Sequence, residues 1–395
     1  MTSTKRMMLR LCNLQPATGN LRRFFVLPSS FFLLLLVLAG CCSTRHCEHA
    51  GEAVAKYHFE TNSFQRALQA RTEAPEEKID LLVLSGGGSH GAWGAGVLRG
   101  WRENTANPRP RKFPVVTGVS TGALLATYAF LGDPADDALL EEAYTTAKTS
   151  DIYKKKFILF ALFSDSLYNS KPLARRIEKY ITLQTIDRVA LAGQEGRRLY
   201  VGTVNHDTGR LVIWDLTAIA MDKGNPKRLD LYRHVVLASA SIPILVQPVK
   251  IDGNLYADGG ARAQLFFEKG FFPAIQKMKD RQALHPNLTL HIIVNGKLGV
   301  DPDCVSDCLK EIAMRTLDML LDANAIGDLY HMEYVLRLNR YGHLALSYIP
   351  PDFPVTTSDV FDPKMMRNLY DAGREFGRSK AKWDDTIPNL DLNRH

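Results

Sequence analysis

Short apolar runs that stop at glycine or at a turn recur along this chain. Ile79-Asp80-Leu81-Leu82-Val83-Leu84 ends at glycines and predicts a strand buried on both faces of a parallel sheet. A helix-like stretch follows over residues 92–103. Val115-Val116-Thr117 then predicts a second strand, and residues 123–131 a second helix. Strand, helix, strand, helix predicts an α/β layered domain. Later, the apolar segments 198–203 and 210–214 flank His206-Asp207-Thr208-Gly209, the pattern of a β-hairpin. Residues 288–294 predict another buried strand. No repeat and no Pro- or Gly-rich linker breaks the chain after residue 78. One domain over residues 78–385 is therefore expected, with a tail over 386–395.

The N-terminal end follows a different pattern. Residues 1–40 carry Lys5, Arg6, Arg10, Arg22 and Arg23 and no acid. An apolar run, Phe31 to Leu38, comes next, then the small residues Ala39 and Gly40 before Cys41. That is the layout of a secretory signal, and the run is short for a transmembrane span. Leu38-Ala39-Gly40-Cys41 resembles the bacterial lipobox, which implies lipidation at Cys41, a membrane lipid anchor and a place in the bacterial cell envelope. The alternative is an uncleaved anchor reaching back through Phe24 and broken by Pro28. Residues 41–77 are polar and of mixed charge and predict a tether, with some helix over 61–70.

Charge narrows the function. The formal net charge is +7, from 49 basic and 42 acidic residues. The five basic residues of the leader account for most of it, and the remainder is at +2. A surface that close to neutral gives no electrostatic case for nucleic acid. Beyond the cysteines near the leader, only Cys304 and Cys308 remain. An exported compartment would permit a disulfide between them, or their spacing would place two thiols on one helix face. No second ligand pair accompanies them, so neither a metal nor another cofactor is expected.

Three motifs carry chemistry. Gly118-Val119-Ser120-Thr121-Gly122 lies between a strand and a helix, the context a nucleophile elbow needs. Gly118 and Gly122 remove Cβ clashes from the tight turn, and the helix start aims N–H groups at developing negative charge. Gly86-Gly87-Gly88-Ser89-His90-Gly91 follows the first strand directly. Such a loop can hold an oxyanion on backbone N–H groups, and Gly87 and Gly88 are expected to admit no side chain. Gly86, Gly88 and Gly91 also satisfy G-x-G-x-x-G, but the next strand ends in Gly118 and not in a ribose-binding acid. No Gly-Lys-Ser/Thr follows to make a phosphate-binding P-loop. The third motif, Asp258-Gly259-Gly260, follows a strand predicted over 254–257; alone it reads as a turn.

Together, in this order and spacing, the three resemble the patatin-like phospholipases. Ala238-Ser239-Ala240-Ser241-Ile242-Pro243, with Pro248 beyond, is similar to the family's Ser- and Pro-containing block before the aspartate. The resemblance covers roughly residues 79–265. It implies a three-layer α/β/α fold with a mainly parallel central sheet, and a Ser-Asp dyad in place of a triad. Ser120 would attack an acyl ester of a lipid, Asp258 would serve as its base, and Gly86, Gly87, Gly88 and Ser89 would form the oxyanion hole. His90 departs from the Arg or Lys that many members carry there.

Two other readings stay open at this level. An α/β-hydrolase triad would recruit a histidine after Asp258, from among His285, His291, His331 and His343, with His343 in a loop-like context the best placed. A lipid-binding lipoprotein without turnover would keep the fold and lose the chemistry. The apolar run Phe157 to Phe163, after Lys154, Lys155 and Lys156, reads either as a buried element or as a lining for an acyl chain.

Overall fold

The structure, a computed structural model, describes residues 52–69, 78–155, 168–267, 271–280, 287–302, 304–354, 361–379 and 383–388. The signal and lipobox with Cys41, the run Phe157–Phe163, Lys156 and His285 lie outside the described residues.

The central sheet has eight strands. In chain order with a small separate pair, the strands are β1 (Lys78–Leu84), β2 (Val115–Val119), β3 (Lys154–Lys155), β4 (Tyr168–Asn169), β5 (Arg198–Asn205), β6 (Arg210–Asp215), β7 (Val249–Ile251), β8 (Asn254–Asp258), β9 (Asn287–Ile293) and β10 (Gly342–Ser347). Five run parallel in the order β10-β9-β1-β2-β5. β6 and β8 join β5 antiparallel, and β7 pairs with β8. The predicted hairpin is β5-β6, with His206 in its turn.

Alternation along β1 explains the layers. Leu82 and Leu84 enter one core cluster, with Leu98, Trp101, Ala126 and Leu369. Leu81 and Val83 point the other way, into a cluster with Phe64, Phe271 and Leu329. Successive strand residues face opposite sides, so a strand apolar at every such position must be covered twice. The helices Gly91–Glu103, Thr121–Leu131 and Pro363–Arg378 contribute to the first cluster, and Thr61–Gln69, Phe271–Asp280 and Leu309–Asn339 to the second. The result is the expected α/β/α arrangement around a mainly parallel sheet.

Residues 52–69 correct the tether expectation for that stretch. Phe59 N–H donates to the Ile213 carbonyl at 2.8 Å, and Asp215 N–H to that of Tyr57 at 2.7 Å. Phe64, Ala67 and Leu68 are buried. Their i, i+3, i+4 spacing makes an apolar stripe that the sheet covers. At the other end, Ile387 of the expected tail is buried in the second cluster. Cys304 and Cys308 are exposed free thiols. Cys308 caps the helix Leu309–Asn339 and Cys304 precedes it, so the two do not share a helix face.

Candidate active site

Ser120 follows the last residue of β2 and precedes the helix Thr121–Leu131. Its backbone turns at φ 55° and ψ −125°. A non-glycine residue at positive φ costs on the order of 1–3 kcal/mol and persists only where its surroundings hold it. Here they do. A Cβ at Gly118 would lie 2.4 Å from the Gly122 carbonyl oxygen, and one at Gly122 would lie 2.3 Å from that of Leu84. Both glycines of the motif are thus needed for the chain to double back over the end of β1. Ser120 N–H donates to Ser239 Oγ at 3.0 Å, and the Ser239 hydroxyl donates to the Gly202 carbonyl at 2.7 Å. The Ser- and Pro-containing block therefore has a physical task at the elbow.

Asp258 closes β8. Its N–H donates to the Ser241 carbonyl at 2.9 Å, and its Oδ1 accepts the Gly260 N–H at 2.8 Å. A Cβ at Gly259 would sit 2.6 Å from the Gly202 carbonyl oxygen. The Ser120 hydroxyl lies near enough to the Asp258 carboxyl to favour its charged form. Both residues are buried. Burial pushes the Asp258 carboxyl up to about 7, against the Ser120 hydroxyl and the Gly260 N–H, which stabilise its charged form. Among the described residues no histidine acts on this carboxyl.

The glycine loop leaves the end of β1. Ser85 N–H donates to the Ile293 carbonyl at 3.0 Å. Gly87 has φ 145° and Gly88 φ 58°. The two differ in what surrounds them. A Cβ at Gly87 would lie 1.8 Å from the Asn295 carbonyl oxygen, whereas one at Gly88 would meet nothing within 4 Å. Steric exclusion holds at Gly87 only; Gly88 is constrained by its dihedral and faces open space. At Gly86 a Cβ would approach Gln264 Oε1 to 2.1 Å. The N–H groups of Gly87 and Gly88 donate to no acceptor among the described residues. Ser89 is buried in the turn Gly88–His90 that leads into the helix Gly91–Glu103. His90 is held below its ordinary value, chiefly by burial and then by Lys297, so the imidazole does not replace the expected cation.

Asn295 and Gln264 are participants that the motifs did not single out. Asn295 Nδ2 donates to the Ser85 carbonyl at 2.8 Å and its N–H to Ser85 Oγ at 2.7 Å, while its Oδ1 accepts the Gly94 N–H at 3.2 Å. It therefore ties the loop to both β1 and the following helix. The available signal was its place just past the carboxyl end of a buried parallel strand, where open α/β sheets gather their sites.

An apolar cavity opens beside Ser120 and Gly88, lined by Leu140, Ile152, Leu173, Ile177, Phe361 and Met366 among others. Thr121, on its wall, shares a hydrogen bond of 2.5 Å with the buried Tyr144 hydroxyl. The described histidines that follow Asp258 lie elsewhere. His343 is exposed on β10 opposite Thr289, four residues and roughly 13 Å short of Ile293 at the sheet's carboxyl edge. His291 is buried inside β9 against Asp80 Oδ1 at 2.7 Å, and His331 is exposed on a helix.

Residues 82–268 match the family model described as patatin-like phospholipase. That stretch contains the glycine loop, Ser120 and Asp258. "Uncharacterized protein R571" of Acanthamoeba polyphaga mimivirus is 29% identical over 187 residues, which is 47% of this chain and 59% of that protein. The chain thus spans less than two thirds of that relative's length. VipD from Legionella pneumophila is a distant structural likeness at TM-score 0.37 and 13% identity, covering 77% of this chain and 66% of that one.

Proposed function

We propose that the protein is a serine acyl hydrolase that cleaves acyl esters of lipids through Ser120 and Asp258. One observation carries the reading: the buried Asp258 carboxyl stands near the Ser120 hydroxyl, which favours its charged form, and Ser120 opens onto an apolar cavity. Ser120 Oγ attacks the ester carbonyl carbon and passes its proton to Asp258. The carbonyl oxygen becomes an oxyanion and accepts from the free N–H groups of Gly87 and Gly88, with Ser89 alongside. One such donor is worth on the order of 3 kcal/mol of barrier. Collapse breaks the ester bond, and Asp258 returns the proton to the leaving alcohol. A water then loses its proton to Asp258 and attacks the acyl-serine; collapse breaks the acyl–Oγ bond, Asp258 returns the proton to Ser120 Oγ, and the acid is released. An ordinary carboxylate, near 3.9, is a weak base at neutral pH; one raised to about 7 suits the task.

A fluorophosphonate probe tests the reading. The wild type should be labelled covalently at Ser120, and Ser120→Ala should not be labelled. A folded wild type that takes up no label would support a lipid-binding protein without turnover.

The leader adds a location to the proposal: a mature chain lipidated at Cys41 and held on a bacterial envelope membrane. Cys41→Ser should abolish acyl labelling and leave a precursor. An unprocessed N-terminus in the wild-type membrane fraction counts against it.

A further inference from the structure

Ile244 combines two features that rarely occur together. Its side chain is 69% exposed, the most exposed of the large apolar side chains among the described residues. Its backbone lies at φ 72°. A β-branched residue is a poor occupant of the left-handed region, and a turn with Pro before such a position ordinarily places Gly or Asn there. Pro243 does precede it. The turn is held from both sides: Val246 N–H donates to the Ile242 carbonyl at 2.9 Å, and Tyr168 N–H donates to the Leu245 carbonyl at 2.8 Å. Folding therefore strains an isoleucine and leaves most of its side chain in solvent. Contacts within the described chain do not account for that choice.

The position suggests what does. Ile242 lines the same apolar cavity as Ser120. Ser239 and Ser241, just before it, hold the Ser120 N–H and the Asp258 N–H. The turn thus stands at the rim of the cavity, on the segment that positions both residues. From Ala238 to Val249 the chain carries no charged side chain. A protein partner would ordinarily be met by a polar rim with directed hydrogen bonds, whereas the acyl boundary of a lipid surface needs only exposed apolar area.

We propose that Ile244 is an interfacial anchor, which enters the surface of aggregated lipid and brings the cavity mouth to it. This rests on the lipid-ester reading given above. The two are separable by experiment. Full-length wild type, Ile244→Asn and Leu191→Asn, each made by cell-free synthesis with Cys41→Ser so that no acyl chain is attached, would be compared on a soluble short-chain ester, on phosphatidylcholine vesicles, and by cosedimentation with the same vesicles. Asparagine suits positive φ, so Ile244→Asn should fold with no loss of melting temperature. It should keep soluble-ester turnover within about twofold while vesicle turnover and cosedimentation fall about tenfold. Leu191→Asn removes an exposed apolar side chain elsewhere, 58% exposed on the helix Leu183–Gln194, and should change neither.

Equal losses on both substrates would assign Ile244 a structural role and overturn the proposal. So would unchanged cosedimentation, an equal effect of Leu191→Asn, or conversion of a dimer to a monomer by Ile244→Asn. If the wild type turns over neither substrate, the hydrolase reading fails, and cosedimentation alone still decides the anchor.

Discussion

Ser120 and Asp258 meet because β5 shares one edge between two strands. Val119, the residue before Ser120, lies opposite Gly202, and Asp258 lies opposite the next residue, Thr203. β6 occupies the other edge over the same stretch. β2 and β8 therefore end at the same point along β5, and the switch from parallel to antiparallel pairing brings the two side chains together from opposite directions. A hydroxyl from an elbow and a carboxyl from a strand end are both fixed by backbone, which limits the motion needed for proton transfer.

The raised carboxyl sets a pH dependence. Asp258 acts as a base only when ionised, so kcat/KM for a soluble ester should rise with pH through about 7 and level off above it. A midpoint near 4 would mean that the carboxyl is not held up by burial.

Stability should run the opposite way. A carboxyl whose folded value lies above its unfolded value of about 3.9 gains protons on folding, so its contribution is full below that value and is lost as pH rises through about 7. Asp258→Asn removes the buried charge. It should be inactive yet melt higher than wild type at pH 8, with the difference vanishing near pH 4. Thermal denaturation at the two pH values checks this, and an equal difference at both would contradict it.

Gly87 and Gly88 should separate by readout. Gly87→Ala drives a methyl into the Asn295 carbonyl and should lower the melting temperature sharply. Gly88→Ala meets open space and bears only the dihedral cost of about 1 kcal/mol, so it should fold. Its methyl would enter the open space of the cavity that Gly88 and Ser120 both line, where the substrate carbonyl is proposed to sit, and turnover should fall at least tenfold. Normal turnover in a folded Gly88→Ala variant would remove this loop from the oxyanion role.

Asn295 should act through the loop. Asn295→Ala leaves the Ser85 carbonyl and the Gly94 N–H without their partner, at about 1–3 kcal/mol for each buried group. Turnover should drop more than KM rises, because the donors for the oxyanion lose their support. A pure KM effect would point instead to substrate binding.

Much of this was legible from local pattern. The run at Ile79 stops where β1 stops, the run at Val115 starts where β2 starts but ends two residues before it, and both flanking glycines of Ser120 prove necessary for the same steric reason that the motif suggested. The pairing of β8 with β5 was not legible, since register between segments some fifty residues apart leaves no local trace. Asn295 was missed because a single asparagine after a strand has no motif around it. The helix expected over 61–70 is present at Thr61–Gln69, but its docking was not legible, because the polarity around it hid the stripe of Phe64, Ala67 and Leu68, which only a covering sheet reveals. The contrast between Gly87 and Gly88 depends on what lies across the fold, and identical residues in sequence cannot express it.

The dyad itself is tested most directly by turnover of a soluble short-chain ester at one pH near 8, compared across Ser120→Ala, Asp258→Asn and His343→Ala, with circular dichroism to establish folding. Ser120→Ala and Asp258→Asn should each abolish turnover, the loss of a general base alone being typically about 100- to 10,000-fold. His343→Ala should keep most of it, because that side chain is exposed at the far end of its strand from the elbow. A folded His343→Ala variant without activity, beside an active Asp258→Asn variant, would contradict the account.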